Sequence, residues 1–117
     1  MESATKYEYL LRPEFKAIEH QRWRIISIIS NKHPIAIASN RAHSLPSRNY
    51  NNHSEIRCIK KTPKNKLKNG ILYVYRLGFS GYRLAKPCPN CQKAIKAAGI
   101  KKVVFSTNEG KFEEMRF

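Results

Sequence analysis

Short apolar segments rich in β-branched and aromatic residues alternate along this chain with segments of helical spacing. Four such segments predict strands, and a further one could form a fifth: residues 23–30, 35–39, 71–77, 101–107 and 111–117. Helix-start residues and helical spacing predict three helices, over residues 13–22, 53–61 and 89–98. Strands interleaved with helices are typical of an α/β domain, in which helices pack on a sheet.

The length of the chain and its short apolar runs limit how it can be organised. Its 117 residues predict one domain over 1–117, of which 1–12 could be a flexible N-terminus. No apolar run approaches the roughly 20 residues that span a bilayer, so no membrane partner is expected. Residues 1–9 hold two glutamates and no apolar core of a signal peptide, and three cysteines are an odd number. These features predict a reducing, cytoplasmic location.

Positive charge is concentrated in the middle of the chain. The 23 Lys and Arg exceed eight acidic residues, all Glu, and give a formal net charge of +15. Residues 20–108 hold 18 of the basic residues and a single acidic one, Glu55. Such an excess favours phosphate-bearing or other anionic partners. The lysines in and after the second and third predicted helices are therefore expected to serve substrate phosphates: Lys60, Lys61, Lys64, Lys66, Lys68, Lys93, Lys96, Lys101 and Lys102.

Cys88 and Cys91 form a Cys-x-x-Cys pair at the start of the third predicted helix. A helix N-terminus stabilises a thiolate, because its free N–H groups carry partial positive charge. Taken alone, the pair is compatible with half of a structural zinc site, a redox pair or a catalytic metal site. Cys58 lies between two isoleucines of the preceding helix and is interpreted as a small buried residue.

His53 stands at the start of the second predicted helix and supplies a third potential ligand. With Cys88 and Cys91 it could hold one zinc ion per chain and leave a fourth position open for water. Glu55 follows two residues later, close to such a metal without binding it. The order His-x-Glu followed by Pro-Cys-x-x-Cys is the pattern of zinc-dependent nucleobase deaminases, in which the glutamate is the general acid and base.

From about residue 23 to 107 the chain resembles the cytidine/deoxycytidylate deaminase superfamily. It is similar to compact deaminases seen in viruses, above all over residues 85–91 and 99–103. The resemblance implies a three-layer α/β/α domain with a mixed sheet of four to five strands, the last antiparallel, and zinc at two helix N-termini. It also implies that Asn40 contacts the sugar and that the backbone near Ala85 and Lys86 lies beside the departing amine. Glu55 would carry protons from water to the ring and to the leaving ammonia.

The substrate is less constrained than the chemistry. Relatives that act on deoxycytidylate or polynucleotides usually have a helix before the last strand, for which the ten residues after Thr107 leave no room. Free-nucleoside deaminases lack that helix but generally have Cys in place of His53. We expect a nucleotide such as deoxycytidylate, with Arg41, Arg48 or Lys86 as the phosphate clamp.

Two further interpretations remain open. The first is a cytosine deaminase acting on single-stranded DNA or RNA, in which the basic middle segment tracks the backbone and loop aromatics stack on bases: Tyr50, Phe79 and Tyr82. The second is a non-catalytic, zinc-stabilised nucleic-acid-binding module, which leaves Glu55 unexplained. An exposed strand edge, together with the habit of the superfamily, also suggests a homo-oligomer.

Overall fold

The computed structural model describes residues 7–11, 23–39, 53–78, 81–108 and 110–117. The predicted first helix, over residues 13–22, lies outside this part of the chain, as does segment 40–52, which holds Asn40, Arg41, Arg48 and Tyr50. A 3-10 turn at Glu8–Leu11 precedes the first strand. The strands are β1 Trp23–Asn31, β2 His33–Ser39, β3 Ile71–Gly78, β4 Gly81–Arg83, β5 Lys102–Ser106 and β6 Phe112–Arg116. The helices are α1 Ser54–Lys61, α2 Lys64–Leu67 and α3 Pro89–Ala97.

The strands form one mixed sheet in the order β2-β1-β3-β5-β6, with β4 paired to β3. β3 and β5 are parallel, whereas the other pairs, including the last strand β6 against β5, are antiparallel. The predicted mixed sheet with an antiparallel last strand is therefore confirmed, with six strands instead of four to five. The additional strand, β4, begins at Gly81, whose φ of 113° lets the chain turn back along β3.

Two segments differ locally from the sequence prediction. The sequence predicts a basic loop over residues 62–70, but this segment contains the short helix α2, which buries Leu67 against the core. One apolar residue in a run of lysines gives no helical period, so the sequence carries little sign of this helix. Of the predicted turn over residues 31–34, Lys32 is the one residue that lies outside the strands. Its positive φ of 70° lets the chain turn directly from β1 into β2.

Alternation along β3 separates two apolar clusters. Leu72 and Val74 face α1 and α3 and pack with Ile95 and Phe105. The intervening residues of β3, together with Ile26 and Ile28 of β1, face the opposite side, where the 3-10 turn covers them. Tyr7 fixes that turn, because its ring meets Tyr73 edge-on at 5.2 Å and its hydroxyl lies 2.8 Å from Ser30 Oγ. Both faces of the sheet are thus buried over the central strands β1, β3 and β5, as expected for an α/β domain.

Strand direction determines where the helices begin. β2, β3 and β5 run in the same direction, because β1 is antiparallel to both β2 and β3, and β3 is parallel to β5. Their C-terminal ends, at Ser39, Gly78 and Ser106, share one edge of the sheet, which we call the site edge. α1 and α3 begin on this side of the sheet and run towards the opposite edge. Among the described residues, no helix has the length and apolar character to cross a bilayer.

Candidate active site

The N-terminus of α1 brings the first motif to the site edge. His53 is the N-cap residue, with extended backbone angles (φ −68°, ψ 144°) that turn the chain into the helix. Glu55 lies in the first turn and is 5% exposed. Ile56 and Cys58 face the sheet. Burial of this apolar face fixes the rotation of α1 and so holds Glu55 in the interior, where an acidic side chain needs a specific reason to be.

The N-terminus of α3 brings the second motif to the same place. Cys88 is the N-cap residue, and its Sγ accepts a hydrogen bond from the backbone N–H of Cys91 at 3.5 Å. Pro89 follows at the first helical position, where the missing N–H costs nothing. The side chain of Gln92 donates to the carbonyl of Pro87 at 2.7 Å and closes the turn. Both cysteines therefore project from a single helical turn.

The structure brings His53, Cys88 and Cys91 together. Their ligand atoms all lie within 4.8 Å of one another, and His53 Nδ1 is 3.4 Å from Cys91 Sγ. Two ligands of a tetrahedral zinc ion lie about 3.4–3.8 Å apart, so this cluster needs little adjustment to hold one. In the described part of the chain it is the one group of three or more His, Cys, Asp or Glu side chains that could hold a metal.

The electrostatics of the cluster favour a cation. Burial, followed by the neighbouring Glu55 carboxylate and by Cys88, raises the pKa of the Cys91 thiol far above its ordinary value. Without a cation the site therefore favours a protonated, neutral Cys91. A divalent ion reverses this preference, because coordination deprotonates a thiol outright. Imidazole nitrogen and two thiolates are ligands that suit zinc, so the residues present fit that ion.

Cys58 does not take part in the cluster. It lies on the face of α1 that packs on the sheet and is fully buried, and its thiol donates to the carbonyls of Ser27 and Ala36 at 3.4 and 3.5 Å. Burial raises its pKa to about 12, so it remains a neutral thiol at physiological pH. The interpretation of Cys58 as a structural residue agrees with this position.

Glu55 accepts a hydrogen bond from a chain of buried hydroxyls. Ser54 Oγ donates to Glu55 Oε1 at 3.0 Å, and Ser27 Oγ lies 2.8 Å from Ser54 Oγ. A serine hydroxyl has one proton, and that of Ser54 is directed to Glu55, so Ser27 must donate to Ser54. Both serines are fully buried. This hydroxyl chain holds Oε1, and the carboxylate also lies within hydrogen-bond reach of Cys91.

Sequence reasoning assigns no role to either serine. The sequence feature that could indicate such a role is Ser27, a polar residue inside the otherwise apolar segment 25–29. A third residue that it misses is Arg57, whose guanidinium donates to the carbonyl of Ser39. Arg57 therefore links α1 to the C-terminal end of β2, the strand end at the site edge.

The segment between β4 and α3 is fastened to the end of β5. The N–H of Ala85 donates to the carbonyl of Ser106 at 2.9 Å, and that of Leu84 donates to Asn108 Oδ1 at 2.8 Å. Ala85 is buried, whereas Lys86 is exposed two residues before Cys88. Beside this segment lies a cavity of about 440 Å³, lined by Leu84, Thr107, Asn108, Lys111, Phe112 and Glu113.

Several predicted substrate contacts fall on residues that the structure does not describe. Asn40, Arg41 and Arg48 lie outside the described residues, as do the aromatic residues Tyr50 and Phe79. The sequence predicts Tyr82 in a loop beside the site, but this residue belongs to β4. There it packs against Tyr75 and Phe112, in the cluster on the sheet face opposite α1 and α3, with ring centroids 6.1 and 5.4 Å away. A ring held in this cluster does not form a stacking surface at the site.

The lysines expected at the substrate lie mostly elsewhere. Lys102 is buried in β5, where its Nζ meets Glu114 Oε1 at 3.4 Å. Lys60, Lys61 and Lys96 lie in the last turns of α1 and α3, at the opposite ends of these helices from His53 and Cys88. The expectation is wrong for these residues because the two motifs and the lysines are neighbours in sequence but occupy opposite ends of the same helices.

Comparison with known proteins agrees with this geometry. No curated protein sequence matches the chain. Among solved structures, RibD of Acinetobacter baumannii is similar in fold, with a TM-score of 0.52 at 13% sequence identity. The match covers 89% of this chain but 28% of the RibD chain. A family model, described as the cytidine and deoxycytidylate deaminase zinc-binding region, matches residues 6–107. The chain therefore belongs to this family of zinc-binding cytidine and deoxycytidylate deaminases.

Proposed function

We propose that the protein is a zinc-dependent deaminase that converts cytosine to uracil by hydrolysis. The substrate would be a phosphate-bearing cytidine or deoxycytidine, and we favour a nucleotide such as deoxycytidylate. The observation that carries the proposal is the buried Glu55 carboxylate beside the cluster of His53, Cys88 and Cys91. Family membership supports the same reaction class.

His53, Cys88 and Cys91 would hold the zinc ion and leave its fourth position open. When bound, zinc supplies a water molecule acidified to a pKa near neutrality, together with Lewis-acid chemistry. The two cysteines would bind as thiolates, which Cys91 does not favour without a cation. His53 would bind as the neutral imidazole, which Nδ1 or Nε2 can provide.

Glu55 would carry the protons. It would accept one from water, pass it to the ring nitrogen beside the reacting carbon, and then help to protonate the leaving ammonia. Because these transfers occur in sequence, one carboxylate is sufficient, in agreement with the single acidic residue between positions 20 and 108. The hydrogen bond from Ser54 to Oε1 would keep the other oxygen directed towards the reacting atoms.

Substrate recognition would involve residues around the segment that precedes α3. The backbone of Ala85 and Lys86 would lie beside the departing amine, and Asn40 would contact the sugar. Lys86, Arg41 and Arg48 are the candidate phosphate ligands. The exposed ammonium of Lys86, two residues before Cys88, supports a single phosphate contact near the site.

A single-stranded polynucleotide is the alternative substrate, and the net charge of +15 favours it. Two observations favour the nucleotide. Tyr82 packs within the protein, and the lysines that end α1 and α3 lie away from the site. A non-catalytic module would give no reason to bury Glu55 beside three metal ligands. A homo-oligomer and a cytoplasmic location stay predictions.

A substrate panel tests this proposal. The zinc-loaded protein is incubated with deoxycytidylate, cytidylate, free deoxycytidine and a cytosine-containing single strand, and uracil formation is measured. We expect the monophosphates to be converted with the highest kcat/KM. Conversion of the single strand with none of the monophosphates would identify a polynucleotide substrate instead. No conversion of any member by zinc-loaded protein would contradict the deaminase assignment.

A further inference from the structure

Exposed lysines lie at the edge of the sheet opposite the site edge, and apart from Lys60 and Lys61 at the end of α1 we call six of them the basic edge. Its members come from the β1–β2 turn, from α2 with its C-cap, and from the end of α3 with the residues that follow it: Lys32, Lys64, Lys66, Lys68, Lys96 and Lys101. Every one is exposed. α1 and α3 separate this surface from the zinc ligands by about 12–14 Å, the length of eight or nine helical residues.

Hydrogen bonds from the Asn31 side chain and between backbone groups hold the three segments together. Asn31, beside Lys32, donates through Nδ2 to the carbonyls of Lys66 and Lys68, each at 3.3 Å. The N–H of Asn69 donates to the Gly99 carbonyl at 2.8 Å, and the N–H of Lys101 donates to the Gly70 carbonyl at 3.0 Å. The lysines are therefore carried on a fixed backbone, although their side chains extend into solvent.

Carboxylates are absent from the segments that form this surface. Residues 31–32, 60–70 and 93–101 contain no Asp or Glu, whereas a solvated protein surface usually mixes both signs. The ammonium groups of these segments therefore repel one another, and the Glu114 carboxylate on neighbouring β6 pairs with Lys102 and Arg116. Such a field attracts a polyanion and destabilises the free protein slightly, so a bound anion would relieve it.

We propose that the basic edge binds the phosphate backbone of a nucleic-acid strand, as a site separate from the catalytic one. β1 and β5 lie on either side of β3, so Lys32 and Lys101 are separated by about two strand spacings, roughly 10 Å. Every nucleotide of such a strand carries a phosphate, so this surface can face more than one phosphate at once.

The type of side chain indicates how the strand is bound. All six residues are lysines, which act as flexible point charges and not as the planar forks with which arginine reads bases. Contacts of this kind neutralise phosphates without reading sequence. The basic edge therefore holds nucleic acid independently of sequence and leaves the site edge free. This inference does not depend on which substrate the catalytic site takes.

The test uses a probe that cannot be a cytosine substrate, a fluorescently labelled oligothymidylate. Its affinity is measured by anisotropy at several salt concentrations for the unmodified protein and for the variant Lys66→Gln, Lys68→Gln, Lys101→Gln. The matched control removes three positive charges from other exposed positions, Arg83→Gln, Lys93→Gln, Lys111→Gln. Thermal unfolding of each variant shows whether the fold is kept, which we expect because these side chains are exposed.

We expect the basic-edge variant to bind the probe about tenfold or more weakly at low salt, and the control variant to bind it nearly as well as the unmodified protein. The slope of log affinity against log salt should become shallower by about 0.7 for each phosphate that the variant no longer neutralises. Equal weakening in both variants would overturn the proposal, because only total charge would then matter. Equal affinity for a polyglutamate of matched length would overturn the assignment to nucleic acid, as would failure of the unmodified protein to bind the probe.

Discussion

The site edge and the basic edge stand at opposite ends of the same two helices and differ in nearly every physical respect. At the site edge, Glu55 and Cys91 are buried, and hydrogen bonds fix the groups around them. At the basic edge, six ammonium groups extend into solvent with no carboxylate in the segments that carry them. The first arrangement suits exact placement of a few reacting atoms, whereas the second suits loose attraction of a charged chain.

The difference also shows how charge and chemistry can be separated in a small domain. A carboxylate that must exchange protons and a surface that must attract phosphates interfere when they are close, since each alters the field of the other. Separation by the length of α1 and α3 weakens this interference, and exposed charges at that distance are screened at physiological ionic strength. Changes at one edge should therefore leave the other nearly unaffected.

The largest effect is expected from removal of both cysteines at the site edge. Cys88→Ala with Cys91→Ala should abolish stoichiometric zinc binding and deamination, because two of three protein ligands are removed. It should also lower the melting temperature relative to the zinc-loaded protein, because the ion links the starts of α1 and α3. Metal analysis and thermal unfolding measure both effects.

Oligothymidylate binding at the basic edge is the control for this variant and should be retained wherever the fold is kept. A double variant that still carries one zinc per chain would show that the ligand assignment is wrong.

A smaller effect is expected from the hydroxyl chain. Ser54→Ala removes the hydrogen bond to Glu55 Oε1, which is worth about 1.5 kcal/mol for a charged acceptor, so kcat should fall about tenfold. KM and zinc content should change little, because neither the substrate contacts nor the ligands are altered. Steady-state kinetics on the preferred member of the substrate panel separates kcat from KM.

Ser27→Ala provides the graded comparison. It leaves the Ser54 hydroxyl in place and removes only the donor to it, so its effect on kcat should be smaller. The double variant should be no worse than Ser54→Ala alone, because both serines act through one hydrogen bond to Glu55. Unchanged kcat in Ser54→Ala would contradict a positioning role for the chain.

The smallest effect on chemistry is expected from Cys58. Cys58→Ala should retain zinc and activity, because the thiol is buried away from the cluster, although loss of its packing lowers stability modestly. In the unmodified protein, Cys58 should resist alkylation near neutral pH until the chain unfolds, because burial raises its pKa to about 12. Mass spectrometry after alkylation measures this, and loss of zinc from Cys58→Ala would contradict the ligand set.

The groups that perform the chemistry are more predictable from the sequence than their surroundings. His53 and the Cys-x-x-Cys pair can be placed because each begins a helix after a strand, and such helix starts meet at one sheet edge. Ser27 cannot be assigned, because its partner on α1 depends on the register of packing between that helix and β1. β4 and α2 are too short to show a period, at three and four residues.

The placement of the lysines illustrates a different limit. Composition shows that positive charge is in excess, but it does not show on which side of the fold the charged residues lie. The lysines after α1 and α3 adjoin the two motifs in sequence, and the helix lengths then carry them to the opposite edge. Because helix bounds can be predicted from the sequence, the placement of the lysines that end α1 and α3 is predictable. By contrast, the meeting of Asn31 with residues 66 and 68 depends on tertiary packing.

We propose that Glu55 moves protons and does not hold the metal. Glu55→Gln keeps the shape of the side chain and an acceptor for Ser54, but it removes the titratable oxygen. The decisive measurement is turnover of the preferred cytosine substrate by this variant, with zinc content determined on the same sample. We expect one zinc per chain, an unchanged melting temperature and a loss of turnover of about 10²–10⁴-fold or more. Substantial turnover by the folded, zinc-loaded variant, or loss of its zinc, would contradict this role of Glu55.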